Sequence, residues 1–131
     1  LINFRVRSRA APEKEMLRKL PALFLSIRQP TLLHCKSGAD RAGLISALYV
    51  LIVMKLPAIE ALKQLSFTYL HVKQAKTGIL DAFIASYIPF EAQGMDFLKW
   101  VEEVYEPEEL LHEFRSQPLA SRIVDSILKR E

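Results

Sequence analysis

Apolar residues recur at helical spacing through most of the chain, and only two short stretches break that rhythm. Met16, Leu17, Leu20, Leu23, Phe24 and Ile27 fall on one face of a helix predicted to open at Pro12. Pro21 lies inside it, and its missing amide predicts a kink or split near Leu20. From Arg41 to about Lys55 a second helix is predicted, apolar almost all round between Leu44 and Met54 and therefore buried. That run is well short of the ~20 residues needed to span a bilayer. Pro57 opens a segment with Ile59, Leu62, Leu65 and Tyr69 on one face, and Gly78 precedes another with Ile79, Phe83, Ile84 and Tyr87. Gly94 precedes a third, with Phe97, Leu98, Val101 and Val104. Pro107 starts a short helix in which Glu108 and Glu109 complement the positive end of the dipole. A last stripe carries Leu119, Ile123, Ile127 and Leu128 and ends on Lys129 and Arg130. These stripes read as core packing, Trp100 with them, and His71 as a surface or packing residue.

The exceptions are Ile2 to Val6 and Thr31 to His34. The first reads as a short strand followed by a basic loop with Arg5, Arg7 and Arg9. The second is a brief apolar run between Pro30 and a polar loop, as in a buried strand of a parallel sheet. Thr31 to Lys55 is thus expected to run strand, tight loop, helix.

Composition narrows the class. With 131 residues and 50% hydrophobic content the chain is long enough for one domain with its own core. A charged fraction of 25% with 4 Gly and 7 Pro argues against disorder. The net charge of +3 suits an anionic ligand, although ordinary solvated Lys and Arg account for it. No nucleic-acid partner is expected. The single Cys excludes an intrachain disulfide and a cysteine zinc cluster.

That cysteine sits in chemically pointed company. Cys35 is followed by five residues and then Arg41, with Gly38 between them. A short loop curling from a strand into a helix turns successive amides inward as an anion nest, and the helix adds its positive end. Phosphate would be held by the amides of Lys36, Ser37, Gly38, Ala39, Asp40 and Arg41, with the Arg41 guanidinium on two of its oxygens. The same field favours a thiolate. Free cysteine titrates near ~8.5, and helix N-termini or adjacent cations lower that to about 3.5–7.5. Such a sulfur attacks phosphorus to give a phosphocysteine, with no metal required. At this chain's composition, His before the Cys, Gly at +3 and Arg at +6 coincide by chance in roughly 5 of 100,000 cases.

The stretch His34-Cys35-Lys36-Ser37-Gly38-Ala39-Asp40-Arg41 resembles the HCxxGxxR loop of the protein tyrosine phosphatase superfamily. Together with Gly43-Leu44-Ile45-Ser46-Ala47-Leu48-Tyr49 it looks like the compact dual-specificity branch, particularly its bacterial members. The likeness is sharp over residues 31 to 49 and loose elsewhere. It implies an α/β fold for residues 1–131: a central, mostly parallel sheet flanked by helices, with a helix-rich C-terminal half. The upstream part of that sheet is expected to lie outside the chain. It implies phosphomonoester hydrolysis without a cofactor, Cys35 as nucleophile, Arg41 as phosphate ligand and His34 as a neighbour that positions the loop.

Two positions depart from the family. Ala42 stands where a Ser or Thr hydroxyl usually helps the thiolate depart, a role for which Ser37 or Ser46 is the candidate substitute, with nothing in the sequence to show it. Residues 1 to 34 also contain no Asp to act as the upstream general acid, only Glu13 and Glu15 within the predicted helix. Asp40, beside Arg41, resembles the CxxGxDR loop of phosphoinositide phosphatases and is the candidate acid; the alternative is a helix cap. The substrate expected first is a phosphorylated protein, the alternative a phospholipid or inositol phosphate. A phosphate-binding module that does not turn over is the reading from another class. Sulfur-transfer or arsenate-type chemistry, which shares a Cys–X5–Arg loop, is disfavoured by Gly38 and the preceding His. An unpaired reactive thiol favours a reducing, cytoplasmic interior, with a membrane tether only through residues upstream of Leu1.

Overall fold

A computed structural model describes residues 1–7, 9–36, 40–65 and 78–116. Six helices follow in order: α1 Lys14–Ser26, α2 Asp40–Ile52, α3 Ala58–Leu62, α4 Gly78–Ala92, α5 Phe97–Glu103 and α6 Pro107–Ser116. A single tight turn, Lys63–Leu65, extends α3. Tyr69, His71 and the stripe from Leu119 to Arg130 lie outside the described residues.

The central parallel sheet is not there. The described residues are 66% helix with no strand among them, so the α/β expectation is overturned in favour of a helical architecture. Ile2–Val6 and Thr31–His34 are irregular chain, and among the described residues no backbone hydrogen bond joins them to each other or to a neighbour. Leu32 is 84% exposed and Leu33 42%, the opposite of a strand buried on both faces. A four-residue apolar run is compatible with several local structures, and only a partner for its N–H and C=O groups makes it a strand.

Helices supply the core instead. α2 buries Leu44, Ile45, Ala47, Leu48, Val50, Leu51 and Ile52, which surround its axis rather than forming a stripe. α4 is likewise buried nearly all round, from Gly78 to Ala85 and again at Tyr87 and Ile88. Helices that are apolar on every side belong in an interior. α3 packs against both of them, and its first amide is capped from α4, the Ala58 N–H donating to Glu91 Oε2 at 2.8 Å. The side chain of Asp96 caps α5 by accepting from the amides of Leu98 and Lys99. α4 stops at Gly94, whose φ of 87° allows the Met95 amide to turn back to Phe90 O at 3.0 Å.

α1 runs through Pro21 as one helix, so the expected split does not occur. Proline removes one backbone bond, while Leu17, Leu20 and Phe24 on either side are buried and hold the two halves in register. An aromatic cluster ties α4, α5 and the turn before α6 together. The Phe83 ring lies 4.8 Å from Tyr105 and 5.7 Å from Trp100, and Tyr87 lies 5.2 Å from Phe97. Trp100, 2% exposed, is core as expected.

Tyr105 also reaches across the molecule. Its buried hydroxyl donates to Pro12 O at 2.6 Å, which pins the start of α1, and burial raises its pKa. Tyr105→Phe leaves that carbonyl without its partner. It is expected to lower unfolding stability by about 1–3 kcal/mol, read by urea denaturation with an unchanged slope.

Candidate active site

α2 begins at Asp40, so the positive end of its dipole points back toward the loop that contains Cys35. The two irregular segments approach this end from the other side. Together with the C-terminal part of α1 they enclose a cavity of about 890 Å³. Cys35, His34, Arg41 and Ala42 all line it. Cys35 is half-buried and in no disulfide, and His34 is exposed.

Arg41 is the telling side chain. It is half-buried in the first turn of α2, where the dipole disfavours a cation. Among the described residues it makes no hydrogen bond and no ion pair. An arginine placed against the local field, in a cavity and without an acceptor among the described residues, suits an anion that comes from elsewhere. The rest of the wall agrees in sign: among the described residues Arg5, Arg7 and Arg28 line the cavity, and no Asp or Glu does. Arg7 is partly engaged, 3.8 Å from Glu13 on the outer side.

Lys36 is exposed and Asp40 half-buried, and neither is among the residues that line the cavity. Arg9 is not among them either, whereas Arg5 and Arg7 are. Ser46 lines an adjoining hollow and not this one. Ser37, Gly38 and Ala39 lie outside the described residues, so the amide nest has no geometry here. Arg28 was not legible as a site residue, because only the return of the chain after α1 brings it to the cavity.

On the helical side the apolar wall is formed by Leu23 and Phe24 of α1, Ile27 just after it and Ile45 of α2, facing Ile2, Phe4, Leu32 and Leu33 of the irregular segments. Phe24 meets Tyr49 of α2 edge-on at 5.2 Å. On its far side α1 is fixed by Arg18, whose Nε and Nη2 donate to Glu102 Oε1 and Oε2 at 2.5 and 2.9 Å. That bidentate pair raises the Arg18 pKa and holds the Glu102 carboxyl below its ordinary range. The wall therefore rests on helices tied to the core, while the rim is irregular chain.

Comparison with protein-family models, with curated proteins and with solved structures found no match. No described helix is long and apolar enough to cross a membrane.

Proposed function

We propose that the chain hydrolyses phosphomonoesters through a phosphocysteine on Cys35, with a phosphorylated protein as the first substrate to test. The observation that carries this reading is Arg41 at the start of α2, half-buried, without a partner among the described residues and in one cavity with Cys35. The resemblance of residues 34–41 to the phosphatase loop supports it, and the sheet that the resemblance implied has no part in it.

The thiolate of Cys35 attacks phosphorus opposite the ester oxygen, so that a P–S bond forms as the P–O bond breaks. Arg41 and the positive end of α2 stabilise the equatorial oxygens. The leaving oxygen takes a proton, which we assign to Asp40, next to Arg41 in the first turn of α2 although outside the cavity lining. Water then attacks the phosphocysteine, releasing inorganic phosphate and returning the thiolate. His34 positions the loop, and no metal or organic cofactor enters the scheme. The test is release of inorganic phosphate from aryl phosphates and phosphopeptides; if none is released from any of them, hydrolysis is excluded.

Ala42 lines the cavity where a hydroxyl would assist the second step. Breakdown of the phosphoenzyme is therefore expected to be the slower step. Rapid mixing with an aryl phosphate should give a burst of phenol equal to the enzyme present, and Ala42→Thr should shrink the burst and raise the steady rate. A linear trace from the first turnover contradicts this order of steps.

The assignment of Asp40 has its own test. Proton donation is typically worth about 10²–10⁴-fold and matters most when the leaving oxygen is basic. Asp40→Asn should cost about that factor on a phenyl phosphate with a poor leaving group and much less on a good one. Equal losses on the two esters would instead make Asp40 a helix cap.

A further inference from the structure

We infer that the face bearing the Cys35 cavity docks on an anionic lipid surface and draws a phosphomonoester headgroup toward Arg41. Three features meet there. Among the described residues, Arg5, Arg28 and Arg41 stand in the cavity wall without ion-pair partners and no carboxylate lines it, so its charge is complementary to an anion. At about 890 Å³ it is far larger than a phosphate group needs and matches a ligand with a sizeable apolar body. Large aliphatic side chains also stand out around it: Ile2 is 56% exposed, and Leu32 and Leu33 line the same cavity from the solvent side.

The apolar character does not end at the rim. A second hollow of about 350 Å³ adjoins the first and shares Phe24, Ile27, Thr31 and Leu33 with it. Its own margin carries Met54, 52% exposed, and Leu56. Its one carboxylate, Glu60, is engaged by Lys63 at 2.9 Å. An extended peptide lies along one line, whereas these side chains spread over two joined hollows with arginines grouped at one of them. Aliphatic groups that enter the headgroup layer beside arginines that meet lipid phosphates form an interfacial surface. Binding stands on this face alone; only turnover of the headgroup rests on the proposed chemistry of Cys35.

The experiment separates the two. Cys35→Ser protein, which keeps the face and removes the nucleophile, is sedimented with vesicles of phosphatidylcholine alone or doped with phosphatidic acid or phosphatidylserine. Binding is expected to be strongest with phosphatidic acid, to fall as salt rises and to be absent on phosphatidylcholine. Arg5→Gln with Arg28→Gln should weaken it roughly 25-fold, at about fivefold per arginine. Leu32→Ser with Leu33→Ser should weaken it at least about tenfold. All four positions are exposed, and the helical circular dichroism of each variant verifies its fold.

No sedimentation with doped vesicles, or binding that neither pair of substitutions weakens, overturns the inference, as does capture of a soluble phosphopeptide in place of vesicles. Equal binding to phosphatidylserine overturns the headgroup selection. Wild-type hydrolysis of a soluble aryl phosphate is measured in parallel. Hydrolysis without vesicle binding defeats the docking face and leaves the chemistry standing; vesicle binding without hydrolysis of any substrate does the reverse.

Discussion

Cys35→Ser is expected to abolish phosphate release, lowering the rate by at least about 10³-fold, with no loss of helical structure. The size of the effect follows from what a hydroxyl lacks. A thiol beside a helix N-terminus and an arginine is readily ionised, whereas a serine hydroxyl in the same place stays protonated near neutral pH and is a poor nucleophile. The substitution is nearly isosteric, and Cys35 is half-buried in the cavity wall outside the core cluster, so the melting temperature should barely move. Phosphate release by wild type and variant, with circular dichroism of both, reads the prediction directly. Residual turnover near the wild-type rate would remove Cys35 from the chemistry. If both proteins bind a phosphopeptide equally and neither releases phosphate, the chain is a binding module.

Two residues picked out from the sequence, Cys35 and Arg41, line one cavity, whereas the expected sheet is absent among the described residues, and the contrast has a physical reason. A loop that turns a sulfur and a guanidinium toward one anion needs them at a fixed separation with a small residue between. The spacing Cys35–Gly38–Arg41 is therefore a local signal in the sequence, although Gly38 itself lies outside the described residues. Helices α2 and α4 were legible for a related cause, since an apolar sequence that is long and continuous has few other places to go. Thr31–His34 is the opposite case. Its four residues are as compatible with irregular chain as with a strand, and what decides between them is a hydrogen-bonding neighbour that no local pattern specifies. Arg28 at the cavity and Glu91 at the amide of Ala58 were hidden in the same way. Each acts on residues distant in sequence, so its role exists only once the helices have packed.

Arg41 offers the sharper test, because its effects on activity and stability should have opposite signs. Arg41→Lys keeps the charge but loses the planar fork that grips two oxygens, and kcat/KM should fall about 10²–10³-fold. Arg41→Gln removes the charge as well. In buffer free of multivalent anions this variant should be more stable than wild type by about 0.3–1 kcal/mol, since a cation no longer opposes the positive end of α2. Adding inorganic phosphate should reverse the order. At a hundred times its dissociation constant an anion stabilises the protein that binds it by about 2.7 kcal/mol, and the variant should gain almost none of this. Thermal melts of both proteins across a phosphate series measure the two effects in one experiment. A wild-type melting temperature that ignores phosphate, or a glutamine variant less stable without it, would mean that Arg41 serves the fold, and its place in one cavity with Cys35 would then carry no argument for chemistry.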